Sequence, residues 1–202
     1  MKILTVTLSK IANKALTEAV SILQKGGVVI YPTETAYALG ADATNIRAIE
    51  KIKKIKTRPR GKPLALIVAN FAMAKKYGFF DARARSFAKK FWPGPVTLIV
   101  KRTSALPKEV AGIYIGMRMS ELAWAQKLTK HLGKPIISTS ANRSGASTLY
   151  SARRARKEFQ VAPMQPDLML DAGTLPKRKP SAIVHLGFKN IRILRKGTIK
   201  VF

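Results

Sequence analysis

Short β-branched and aliphatic runs, each bounded by glycine or proline, alternate with stretches of helical periodicity, and this restricts the chain to a sheet with helices packed on it. Val28-Val29-Ile30-Tyr31 follows Gly26-Gly27 and is closed by Pro32, as a buried strand is. Residues 64–68, 96–100, 112–117 and 135–138 read the same way. The periodicity predicts a helix over 9–24, with Ser9 as its cap and Ile11, Ala15, Ala19, Ile22 and Leu23 on one face. Thr44 is expected to cap a helix through Lys56, with Ile46, Ile49, Ile52 and Ile55 inward. Further helices are expected over 71–77, 81–91, 120–132 (capped by Ser120) and 151–159, the last very basic. Trp92-Pro93-Gly94-Pro95 is a rigid turn, Thr33-Glu34-Thr35 a polar loop, and short strands are expected near 168–170, 181–185 and 191–194. The expected class is therefore α+β (α/β-type), an open mixed sheet with antiparallel portions flanked by helices. Neither a repeat nor a Gly/Ser linker interrupts the 202 residues, so one domain over 1–202 is expected.

Charge narrows the partners. There are 38 Lys and Arg against 10 Asp and Glu, a net charge of +28. Such a surface repels itself, and phosphate-rich partners offset it, because Lys and Arg gain affinity by releasing counterions. The hydrophobic fraction of 47% supplies a core and argues against widespread disorder. There is no cysteine, which excludes disulfides, thiolate chemistry and Cys-zinc sites. The first residues carry no long apolar leader, and no apolar run approaches membrane-spanning length. A cytoplasmic protein without membrane contact is the expectation.

The inventory of reactive groups is thin. The ten acids form no motif pair, so a carboxylate metal cage or a paired-carboxylate hydrolase is disfavoured. His131 reads as decoration at a helix C-terminus and His185 as a structural residue of a strand. Phosphate handling is better supplied. Between Arg47 and Lys62 lie eight basic residues and one acid. Lys56-Thr57-Arg58-Pro59 falls where a helix breaks, pairing a point charge with a bidentate fork, unless the run is a solvated helix face. No Gly-x-x-x-x-Gly-Lys-Ser/Thr loop is present. Ser138-Thr139-Ser140-Ala141-Asn142 closes a buried strand, where hydroxyls and an amide either meet a ligand or simply make a turn.

Taken in order, several pieces resemble the YrdC-like threonylcarbamoyl-AMP synthases. They are Tyr31-Pro32-Thr33-Glu34-Thr35 with Tyr37 and Leu39-Gly40, Lys56-Thr57-Arg58, Lys62-Pro63-Leu64, Trp92-Pro93-Gly94-Pro95-Val96-Thr97, Arg118 and Ser140-Ala141-Asn142. The match runs from about Gly26 to Ser151 and more loosely through Ser181 and Arg195-Lys196-Gly197. The resemblance implies an open twisted sheet with a concave basic cleft. It also implies formation of threonylcarbamoyl-AMP and pyrophosphate from L-threonine, bicarbonate and ATP, for N6-threonylcarbamoyladenosine in tRNA. A tRNA-modifying threonylcarbamoyl transferase complex would take the product. By the same resemblance Lys56 and Arg58 would grip the ATP phosphates and carry catalysis, while Ser140, Asn142 and Arg195 would hold the nucleotide. Thr33, Arg118 and Ser181 would hold threonine. Mg²⁺ would arrive with ATP, with no dedicated protein metal site and no tightly bound cofactor.

Three positions depart from the family pattern. Ala38 replaces a usual glycine, Leu66 and Ile67 stand where longer relatives often carry histidine, and His185 sits where an acid is common. Longer members append a second domain that helps cover the site, so a chain ending at Phe202 is expected to have a more open cleft. The competing reading is a non-enzymatic protein that binds double-stranded RNA or rRNA, a ribosome-maturation factor with a concave basic face.

Overall fold

The computed structural model describes residues 1–9, 11–57, 63–187 and 191–199. The chain runs β1 (Lys2–Thr5), α1 (Asn13–Gln24), β2 (Val29–Pro32), β3 (Tyr37–Asp42), α2 (Ile46–Ile55), β4 (Leu66–Ile67), α3 (Phe71–Tyr77) and α4 (Ala82–Phe91). It continues through β5 (Val96–Lys101), β6 (Tyr114–Arg118), α5 (Ala123–Leu132), β7 (Ile136–Ser140), α6 (Ala152–Gln160), β8 (Leu168–Asp171), β9 (Ala182–His185) and β10 (Arg192–Arg195). Among the described residues the strands form one ten-stranded sheet in the order β1-β8-β2-β3-β7-β4-β6-β5-β9-β10. Pairing is mixed: β2 with β3 and β5 with β6 are antiparallel, whereas β1 with β8 and β5 with β9 are parallel. The expected mixed sheet flanked by helices is what forms.

Alternation along the strands explains how the sheet is covered. In β5, Val96, Leu98 and Val100 enter the larger core with α2, α3, α4 and α6, and Thr97 faces the other way. In β9, Ala182 and Val184 join that same core, so Ile183 faces opposite. The second core belongs to α1 and α5, which cover Val29, Tyr31, Ala38, Ile67, Ile136, Leu168 and Leu170. These two helices are too few to cover the second face beyond β4. The part over β6, β5 and β9 stays open, and the polar side chains of the alternating strands look into it.

Several local expectations shift. The first helix begins at Asn13, and its N-cap Ala12 makes no side-chain bond. Leu8 and Ile11 pack on the second core ahead of Asn13, so the apolar period begins before the helix does. Thr44 does not cap α2. Its amide and hydroxyl both donate to Asp42 Oδ1 (2.8 and 2.7 Å), and Asn45 caps instead, accepting from Ala48 N. Ile46, expected inward, is 52% exposed at the first turn. Ser120 does not cap α5, which begins at Ala123 with Leu122 at its N-cap; the Ser120 hydroxyl donates to Glu34 and accepts from Leu122 N (3.3 Å).

Two strands carry no sequence signal strong enough to predict. One is β1, an edge strand of four residues. The other is β3, whose Tyr-Ala-Leu-Gly-Ala-Asp sequence lacks β-branched residues yet is buried along its whole length. Its small residues are required by packing: a Cβ at Gly40 would lie 2.7 Å from the Tyr31 ring. Tertiary fit, not propensity, makes this segment a strand.

Candidate functional site

The open half of the sheet forms a cleft of about 410 Å³. Of the residues singled out from sequence, Thr33, Arg118, Ser140, Ser181 and Arg195 line it together, drawn from five separate segments. Asn142 and Lys56 lie behind its wall, and Arg58 lies outside the described residues, as does Lys62.

The β2–β3 turn forms one end. Thr33 Oγ1 donates to Ala36 O (2.7 Å) and accepts from the amides of Ala36 and Thr35 (3.2 and 3.3 Å). Its hydroxyl therefore closes the turn as well as lining the cleft. The same turn carries Glu34 inward, where its carboxylate accepts from the Arg118 guanidinium and from Ser120 Oγ. Both partners of this ion pair are buried, with side-chain exposures of 9% for Arg118 and 3% for Glu34. Sequence reading gave Glu34 no role. The signal was its place in the Tyr31-Pro32-Thr33-Glu34-Thr35 motif, an acid in a basic chain.

Arg195 sits on the exposed edge strand β10 and turns its guanidinium back onto Ser181. Nε donates to Ser181 O (2.9 Å) and an Nη donates to Ser181 Oγ (3.1 Å). Thr97 Oγ1 shares a hydrogen bond with the same Ser181 hydroxyl (2.9 Å), so β5, β9 and β10 converge on one point. Partial burial lowers the pKa of Arg195, and the positive charge of Arg118 lowers it further. Two guanidiniums thus act on each other across the cleft, and Arg178 adds a third on its rim. The Glu34 carboxylate, already committed to Arg118, offsets one of them. The cleft is built to receive an anion.

Ser138 to Ser140 form the opposite wall, with Asn142 behind it. Ser140 Oγ donates to Asn142 Oδ1 (2.5 Å), and Asn142 Nδ2 donates to Ala146 O. Lys56 is only 2% exposed, and its ammonium donates to Ser140 O and Asn142 O, both at 2.6 Å. Below this wall Tyr31 donates to Ser138 Oγ (2.9 Å), and burial pushes its phenol up to about 12. His185 stands apart from the cleft. Its Nδ1 accepts from Gly187 N (3.0 Å), its ring packs edge-on to Tyr114, and burial lowers its pKa.

An open mixed sheet with a cleft of guanidiniums and hydroxyls on its uncovered face suits small anionic ligands. The Sua5/YciO/YrdC family model, described as "Telomere recombination", matches residues 21–197, and the chain belongs to that family. It is 36% identical over 154 residues to a threonylcarbamoyl-AMP synthase of Pseudoalteromonas translucida, covering 73% of this chain and 81% of that protein. It superposes on the crystal structure of P. abyssi Sua5 complexed with L-threonine with a TM-score of 0.91 and 29% identity, over 98% of this chain and 58% of that one. The crystal structure of E. coli YciO is matched at a TM-score of 0.90 and 29% identity, over 100% of this chain and 98% of that one. The chain thus spans little more than half of the longer Sua5 protein. Among the described residues no helix is long and apolar enough to cross a membrane.

Proposed function

We propose that the cleft binds MgATP and L-threonine side by side and joins them through bicarbonate, yielding threonylcarbamoyl-AMP and pyrophosphate. The observation that carries this reading is the convergence of Arg118, Ser181, Arg195 and Ser140 on one electropositive cleft. The threonine amine attacks the carbon of bicarbonate and water leaves. An oxygen of the resulting carbamate attacks the α-phosphorus, and the bond to pyrophosphate breaks with its electron pair leaving on pyrophosphate. Every bond made lies between substrates, so a chain without cysteine and with committed hydroxyls suffices. Its work is positioning and neutralising charge as the adenylate forms.

Arg118 offers the threonine carboxylate a fork whose other edge Glu34 holds, with Ser181 and Thr33 beside it. Arg195 and Ser140 face the nucleotide, Arg58 grips its phosphates, and Lys56 and Asn142 complete the ATP set from behind it. Mg²⁺ enters as part of the substrate. One domain over 1–202 carries both halves of the site and works in the cytoplasm, supplying a transferase complex that modifies tRNA. The test is pyrophosphate release from MgATP, expected only when L-threonine and bicarbonate are both supplied. Release that ignores either one removes the reading.

A second contact is favoured by the cations left over. Arg153, Arg154, Arg156 and Lys157 project from α6 into solvent, and exposed Lys177, Arg178 and Lys179 pass the cleft rim. Tyr150 joins the two by donating to Arg178 O (3.1 Å). These residues suit the phosphate backbone of an RNA such as tRNA. Affinity that falls steeply with added salt is expected, and salt-independent affinity overturns the contact.

A further inference from the structure

We infer that Lys56 is a positioning residue that works from behind the site, its ammonium stapling the 140–144 loop so that Ser140 faces the nucleotide. The inference rests on the reading of this cleft as an ATP site and deepens it.

The ammonium has three N–H donors, and three oxygens of the loop meet them: Ser140 O and Asn142 O at 2.6 Å, and Asn142 Oδ1 at 3.4 Å. The main chain returns the contact, since Ser144 N donates to Lys56 O (3.0 Å). Both ends of one residue thus address one loop. The backbone is bent to allow it: Thr57 adopts a φ of 48°, a left-handed conformation that a non-glycine residue takes only when its surroundings impose it. The Thr57 hydroxyl donates to Lys56 O (2.6 Å), adding a second donor to that carbonyl.

Asn142 belongs to the same frame. Its Oδ1 accepts from Ser140 Oγ as well as from Lys56, and its Nδ2 donates to Ala146 O. Both ends of the amide are therefore spent inside the loop. The spacing of the Lys-x-Arg and Ser-x-Asn elements then has a physical cause. Lys56 and Asn142 hold each other, and of the residues in this frame it is Ser140 whose side chain lines the cleft. A lysine that gripped phosphate directly would have to leave two short bonds, and the one to Asn142 O is buried, where loss of a charged donor is costly.

Reductive methylation of the wild-type protein with formaldehyde, without ATP, tests the contact directly. Lys56 is expected to resist while surface lysines react, and adding ATP leaves its protection unchanged. Methylation of Lys56 at the rate of surface lysines, with protection appearing only on addition of ATP, overturns the inference in favour of a direct grip. Lys56→Met then removes the ammonium and keeps the apolar stem. The KM for ATP is expected to rise about tenfold or more while the KM for threonine holds, the size expected when a buried acceptor loses a charged donor. Amide exchange at Ser144 should quicken in the ligand-free variant. An unchanged KM for ATP sinks the inference. Should this variant not fold, the methylation result decides alone. A wild-type protein that turns over no ATP defeats the functional reading and leaves the methylation result standing.

Discussion

Arg118→Ala is expected to destabilise the fold by about 3–5 kcal/mol, because it leaves the Glu34 carboxylate buried without its cation. The same change should weaken threonine binding by about 2–5 kcal/mol, roughly 30-fold or more, since the fork for the substrate carboxylate is gone. The two effects separate in a double variant. Arg118→Met with Glu34→Gln removes both charges and leaves neutral groups of similar volume, so much of the stability should return. Threonine use should not. Denaturant midpoints of wild type, both single variants and the double variant measure the first effect, and KM for threonine measures the second. If the double variant is as unstable as Arg118→Ala, the buried pair is not what couples the β2–β3 turn to β6. If it uses threonine normally, Arg118 does not meet the substrate.

Alkaline pH should expose the second large effect. Tyr31 and Tyr37 are fully enclosed, and burial pushes each phenol from 10 up to about 12. Tyr31 donates to Ser138 Oγ, and Tyr37 donates to Gly173 O (3.0 Å) while accepting from Ala172 N (2.9 Å). In the unfolded chain these phenols ionise near pH 10. Between pH 10 and 12 the unfolded state therefore binds fewer protons than the folded state, and stability falls as pH rises. Below pH 10 both states are protonated and the contribution is intact. Two pKa units amount to about 2.7 kcal/mol per tyrosine once the pH has passed 12. Unfolding free energies of wild type and Tyr31→Phe, compared from pH 9 to 12, should differ by a pH-dependent amount of that order. Parallel curves would mean that the Tyr31 phenol is not held protonated by the wall beneath the cleft.

Much of this architecture was legible because it rests on local chemistry. The runs at 28–31, 96–100 and 181–185 are strands, and Asp81, at the head of an expected helix, accepts from Ala84 N as its cap (2.7 Å). The errors fall where a distant partner decides. Ser120 looks like a helix cap, but α5 begins only at Ala123 and the Ser120 hydroxyl donates to Glu34, while β3 shows no strand signal until β2 and β7 close on both its edges. The site shows the same division. Arg118, Ser181 and Arg195 carry recognisable chemistry, and the fold brings them together. Glu34 and Thr97 stand inside motifs already singled out, but their roles could be found only by their contacts, because neither residue type says which partner it will meet.

The open half of the sheet gives these contacts a common purpose. Helices α1 and α5 cover one part of the second face, and beyond them Thr97, Arg118, Ser181 and Arg195 line the open part in place of a third core. Glu34 and the Ser181 hydroxyl fix two of those guanidiniums before any ligand arrives, so little reorganisation is left for the moment of reaction.

The central claim is that this cleft joins threonine to ATP through bicarbonate. It is tested most directly by supplying ¹³C-bicarbonate with L-threonine and MgATP and measuring the mass of the nucleotide product. The account predicts an adenylate that contains threonine and retains the heavy carbon. An adenylate without that carbon, or ATP left intact in the complete mixture, would contradict it.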